Sequence, residues 1–125
     1  MTRYPLLLLC CAGLLAGCGG AREPNVDPDQ AGRALRKALD AWKDGKTAAE
    51  LEAQQAILMN ESDWTSGKQL VEYKMNDAGA LDGRQVKWVV QIRLKDKAGK
   101  VTDKKATYII DTIPRTVIVR DQFAS

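Results

Sequence analysis

From Val86 to Lys95 the chain shows its clearest alternation of apolar and polar residues, interrupted only by Val89, and no other stretch limits its fold so tightly. Val86, Trp88, Val90, Ile92 and Leu94 fall on one side of an extended strand, and Lys87, Val89, Gln91, Arg93 and Lys95 on the other. Such a strand is half-buried, so it needs neighbours in a sheet and a layer to cover its apolar side. Asp96-Lys97-Ala98-Gly99-Lys100 reads as a hairpin turn, and a return strand is expected from about Ala106 through Tyr108, Ile109 and Ile110 to Thr112. Pro114 interrupts it, and Arg115–Arg120 makes a last strand. Upstream, Val71, Tyr73 and Met75 alternate with Glu72, Lys74 and Asn76, until Asn76-Asp77-Ala78-Gly79 and Leu81-Asp82-Gly83 break the strand. Strands joined by such short turns pair antiparallel.

The cover is supplied earlier in the chain. Asp27-Pro28-Asp29-Gln30 has the marks of a helix start: an N-cap, a proline at the first position and a capping-box glutamine. Ala31, Ala34, Leu35, Ala38, Leu39 and Trp42 then recur at helical spacing as one stripe, and Gly45 ends it. Arg33, Arg36, Lys37 and Lys43 lie mostly off that stripe, on a solvated face. Thr47-Ala48-Ala49-Glu50 is a second capping box, opening a short helix to about Gln55. Ala56-Ile57-Leu58-Met59 is either a brief strand or a buried lead-in, because so short an apolar run has no decisive period. Glu61-Ser62-Asp63 and Thr65-Ser66-Gly67 bracket Trp64 in a turn-rich loop, with Asp63 a turn former. The expected fold is α+β: one long N-terminal helix and a short helix packed on a twisted antiparallel sheet of about four strands, a single domain over residues 28–125.

The start of the chain is of another kind. Arg3 precedes the apolar run Leu6–Leu15, and small residues follow it, the pattern of an export signal. The run falls short of the about 17–25 apolar residues that span a bilayer. Leu15-Ala16-Gly17-Cys18 resembles the lipobox of bacterial lipoproteins: leucine, two small residues, then the obligatory cysteine. That resemblance implies a signal peptide over residues 1–17 and a thioether-linked diacylglycerol on Cys18. It also implies acylation of the new amino terminus. Each buried CH₂ contributes roughly 0.8 kcal/mol, and one chain alone is marginal, so two or three chains make a stable anchor. Residues 18–27 then form the lipidated cysteine and a flexible tether, whose reach by coil scaling is about 15–18 Å. Gly19 stands where an aspartate would signal inner-membrane retention, which in a cell with two membranes points to the outer membrane, facing the periplasm.

Composition removes several chemistries. The 125 residues contain no histidine, and with it go the usual general base and the commonest zinc ligand. Of the three cysteines, Cys10 and Cys11 leave with the signal and Cys18 takes lipid. A formal net charge of +3 argues against a dedicated nucleic-acid binder. No cofactor and no metal site is expected.

The element order helix, helix, then antiparallel strands is similar to cystatin-like or nuclear-transport-factor-like cone folds. The stretch from Trp64 to Arg120 also resembles small planctomycete-type lipoproteins. The matching residues are Trp64, Gly67, Leu70 and Tyr73, then Tyr108, Asp111, Thr112 and Pro114, then Val117, Val119 and Arg120. None of them is a catalytic signature. Some cone-fold enzymes work with aspartate and tyrosine alone, and Asp63, Tyr73, Tyr108 and Asp111 are the set available here. Alternation, however, puts Tyr108 and Asp111 on opposite faces. Trp42, Trp88 and Tyr108 are candidate walls of an apolar pocket between helix and sheet, or plain core. Lys95, Lys97, Lys100, Lys104 and Lys105 gather on one hairpin, where lysine either meets anionic headgroups or, the favoured account, serves solubility and discourages edge pairing. The expectation is a lipid-anchored envelope protein, held to the bilayer through Cys18, that binds an envelope protein or a small apolar ligand. A structural component without a ligand is the alternative, and an enzyme comes last.

Overall fold

The computed structural model describes residues 26–123; the expected export signal, Cys18 and the expected tether as far as residue 25 lie outside the described residues. Three helices and six strands follow in order: α1 (Pro28–Lys43), α2 (Ala48–Gln55), β1 (Ile57–Asn60), α3 (Ser62–Thr65), β2 (Gln69–Met75), β3 (Ala80–Asp82), β4 (Gln85–Lys95), β5 (Val101–Asp111) and β6 (Thr116–Arg120). The class is α+β, and no helix among the described residues is long and apolar enough to cross a membrane.

The Asp27 carboxylate accepts the Asp29 N–H at 2.9 Å and so satisfies one of the orphan donors at the start of α1. The buried face of α1 carries Ala31, Ala34, Leu35, Ala38, Leu39 and Trp42, with Gly32 among them. A Cβ at Gly32 would stand 2.8 Å from Cη2 of Trp88, so the bare backbone of the first turns lies directly on that indole. Thr47 caps α2 through a reciprocal box: its hydroxyl accepts the Glu50 N–H at 3.1 Å, and the Glu50 carboxylate accepts the Thr47 N–H at 3.0 Å.

The sheet runs β1-β6-β5-β4-β2, with β3 also on β4. It is therefore six-stranded and mixed, larger than the four-stranded antiparallel sheet expected. Ile57–Asn60 is the added strand at one edge, lying parallel to β6. Parallel neighbours require a long crossover, and here everything from α3 to β5 intervenes, so no local turn announces the pairing. At the other edge β2 pairs with Lys95–Val90 and β3 with Lys87–Gln85, so the two share one side of β4 end to end. The turn residues before Ala80 interrupt that edge without ending it. The return strand also starts earlier than expected, at Val101, because Thr102–Lys105 join the ladder opposite Leu94–Gln91 despite their polarity.

One register detail overturns the alternation read for β2. A bulge falls between Leu70 and Glu72, so Leu70 is wholly buried while Val71 is 38% exposed. An extra residue on one strand exchanges the faces on either side of it. Val71 accordingly points away from the core that Tyr73 and Met75 face.

The direct cross-strand triplet Trp88–Tyr108–Arg120 marks the helix-facing side of the sheet. Trp88 and Gly32 meet near the start of α1, whereas Trp42, near its end, donates its indole N–H to the Lys68 carbonyl at 2.8 Å. The chain thus enters at the Val86 end of β4. Asp96–Lys100 lies at the opposite end, roughly 35 Å away at about 3.3 Å per strand residue.

Candidate functional site

The densest gathering of charge inside the domain sits under α3. Glu61 occupies the N-cap position of that single helical turn and is completely buried. One of its oxygens accepts the Asp63 N–H at 3.0 Å, which places the Asp63 carboxylate on the same side. From β6, Nη1 of Arg120 donates to both Glu61 oxygens at 2.9 and 3.1 Å and to Oδ2 of Asp63 at 3.0 Å. From β5, the Tyr108 hydroxyl donates to Oε2 of Glu61, and Nζ of Lys104 donates to Oδ2 of Asp63 at 3.0 Å. Nζ of Lys68, just ahead of β2, stands 3.3 Å from Oδ1 of Asp63.

The electrostatics follow from those distances. Burial by itself would raise the Asp63 carboxyl, but the bonds from Lys104, Arg120 and Lys68 outweigh it and hold the group at about 2. Burial pushes the Tyr108 hydroxyl up, and the neighbouring Glu61 charge pushes it further the same way. Burial disfavours the Arg120 cation, yet Asp63 and Glu61 more than compensate, so the guanidinium stays firmly charged. A carboxylate held at about 2 is a weak base near neutral pH, and Glu61 presents no surface to solvent. The arrangement is an ion-pair clamp that ties α3 to β5 and β6.

Of the acid and tyrosine set singled out in the sequence, Asp63 and Tyr108 come together here and the other two do not. The Tyr73 hydroxyl donates to Oδ1 of Asp40 on α1 at 2.6 Å; burial and that bond raise it to about 12. Asp111 turns to the other face and accepts the Ile113 N–H at 3.1 Å. The three candidate pocket aromatics are packed: Trp42 is 2% exposed, Trp88 7% and Tyr108 0%. The Trp88 indole N–H donates to the Asn76 carbonyl at 2.8 Å. Trp42 stacks on Trp64, with ring centroids 5.6 Å apart, and these two indoles border a surface cleft of about 240 Å³. Neither Trp88 nor Tyr108 lines that cleft.

The sequence reading did not join Glu61, Arg120, Lys68 and Lys104 into a site: it left Glu61 in a turn, Arg120 among the residues of the resemblance and Lys104 on the lysine-rich hairpin. Arg120 carried a usable signal: it follows Ile118 by two positions in a short strand, and so had to share the face of that buried residue. Glu61 carried none, since an acid in a polar turn ordinarily faces water. No group of three or more His, Cys, Asp or Glu side chains suited to a metal occurs among the described residues. Comparison with protein-family models, with curated proteins and with solved structures gave no match to this chain, which leaves its own residues as the guide to what it does.

Proposed function

We propose that the chain is a lipid-anchored protein of the cell envelope whose domain works by holding another envelope protein. The observation that carries the anchor is Leu15-Ala16-Gly17-Cys18 behind an apolar run too short to span a bilayer. Gly19 favours the outer membrane, facing the periplasm, where the cell has two membranes. A cone-like α+β domain of the cystatin or nuclear-transport-factor kind, with α1 and α2 as its helical layer, is part of the same reading.

Binding of a protein, rather than of a small apolar ligand, is supported by where apolar surface is left over. Trp42, Trp88 and Tyr108 are consumed by the core. The sheet face turned away from α1 instead carries Leu58 at 39% and Val119 at 38% exposure. Cross-strand partners extend that patch: Leu58 lies beside Val117, and Val119 beside Ile109. An exposed apolar patch on an otherwise charged surface is a mark of association. Catalysis has little support, because the acid and tyrosine groups that do meet are buried and saturated.

Two measurements test the reading. The intact mass of the membrane-extracted chain should begin at Cys18 and include the acyl groups, and Cys18→Ser should leave the membrane pellet; a mature chain without acyl mass overturns the anchor. A photocrosslinking residue at Val119 should give a discrete adduct in cells, and the same residue at Glu52 on α2 should not; the absence of a Val119 adduct overturns the binding role.

A further inference from the structure

One border of the sheet carries a charge pattern that matches itself. Within the sheet β2 is bonded only to β4, so its other side is open, and β3 continues the same border. In an antiparallel ladder alternate residues of a strand exchange bonds with the neighbour, and those between them turn their N–H and C=O the other way. The Asn76 N–H donates to the Val89 carbonyl at 3.0 Å, and the pairs Lys74–Gln91 and Glu72–Arg93 follow in phase with it. Tyr73 and Met75 therefore present their backbone groups to the open side, where among the described residues nothing bonds to them.

Tyr73 also shows that α1 does not overhang this border. Its hydroxyl reaches Asp40, and the Arg36 guanidinium acts on the same oxygen. Both residues lie off the buried stripe of α1, on its exposed side, so the tyrosine ring rises beside the helix rather than beneath it. The bulge is confined to Leu70–Glu72, which leaves the strand regular from Glu72 to Met75. Glu72 and Lys74 are exposed there on the sheet face turned away from α1, two positions apart. Glu72 stands 3.3 Å from Arg93 with 64% of its side chain still exposed, and Lys74 forms no ion pair among the described residues.

The charges select the occupant. A lone lysine on an edge strand discourages pairing. Here an antiparallel strand of the same sequence, centred on Tyr73, sets each Lys74 opposite the partner's Glu72. On the helix side the same axis falls between Arg36 and Asp40, four positions apart, and turns each toward its opposite charge. Centring on Glu72 or on Lys74 would oppose like charges, and would meet backbone groups already spent on β4. The other border, Ile57–Asn60, carries no charge with which to choose a partner. We infer that β2 pairs with the β2 of a second copy of this chain, antiparallel about Tyr73, joining two sheets into one. The Tyr73 N–H and C=O of the two copies exchange bonds at the axis. This contact rests neither on the anchor nor on the apolar patch around Val119.

Sedimentation equilibrium of the full chain, in a large excess of density-matched detergent micelles, gives the protein mass per particle. The parent should be a dimer. Lys74→Glu and Glu72→Lys should each weaken association about tenfold, because two symmetric cross-strand pairs turn from opposite to like charge. The double swap, Glu72→Lys with Lys74→Glu, should restore it. It carries both substitutions, so its recovery separates lost association from lost folding. Hydrogen exchange should find the Tyr73 amide protected in the dimer and released on dilution. A parent that stays monomeric overturns the inference, as do single variants that associate like the parent, or a double swap that stays dissociated. A dimer that Val119→Asp dissolves while the β2 variants leave it intact overturns it too, since the second copy would then sit on the apolar patch.

Discussion

Replacing Arg120 by methionine should do more damage than any other single change of charge in this domain. Among the described residues Arg120 is the one cation that touches Glu61, whose side chain has 0% exposure. The variant keeps the Tyr108 and Asp63 N–H bonds to Glu61 but leaves its charge buried without a counterion. Breaking a buried pair from one side costs about 3–5 kcal/mol. A domain of this size has only about 5–15 kcal/mol in total, so the loss is about a fifth of its stability or more. With a urea slope of about 1–3 kcal/mol/M, the midpoint should fall by roughly 2 M. Adding Glu61→Gln removes the charge while keeping an acceptor for Tyr108, and the double variant should regain most of the loss. Urea titrations of parent, both single variants and the double variant at pH 7 give the coupling directly. An Arg120→Met deficit under about 1 kcal/mol, or one that Glu61→Gln does not relieve, would refute the clamp.

Three further outcomes follow from the same geometry. Asp63, at about 2 against an ordinary 3.8, contributes about 2 kcal/mol that is fully present above pH 4 and lost as pH falls through 2; Asp63→Asn should flatten that limb of the acid unfolding curve. Ala56 ends α2 with φ +56°, so Ala56→Gly should raise stability by about 0.5–1 kcal/mol in chemical denaturation, and a loss would show that the left-handed cap is not strained. Gly32→Ala drives a methyl into the Trp88 ring and should cost about 1–3 kcal/mol, with a shift in Trp88 emission; unchanged values would mean that α1 can lift freely off the sheet.

What could be read from the sequence was the part specified locally. The alternation from Val86 to Leu94 reappears as an unbroken run of buried residues on one face of β4, because side-chain period and strand pleat are the same thing. The α+β class followed from that strand and its hairpin together with the capped apolar stripe of α1. The wider sheet did not, because β1 is four residues long and pairs with a strand nearly sixty positions later. The bulge at Val71 was equally invisible: Leu70-Val71 offers two adjacent apolar residues, and only the pairing with Leu94 and Arg93 decides which turns inward. The clamp was hidden for a related reason. Asp63 looks like any turn aspartate until the sheet brings Lys104 and Arg120 against it, 41 and 57 positions along the chain. Tyr108 was noticed both for its aromatic bulk and for its hydroxyl, but the partner of that hydroxyl, Glu61, lies 47 positions away and was not foreseen.

The parallel pairing of β1 with β6 has a consequence for the order in which the domain folds. Within the sheet, Ile57–Asn60 is bonded only to Thr116–Arg120, the last strand among the described residues. Neither that border of the sheet nor the Glu61–Arg120 bond can close before β6 is in place. Both therefore wait on a contact spanning nearly sixty positions, and the loop-closure entropy of so distant a pairing makes this edge a late step of folding.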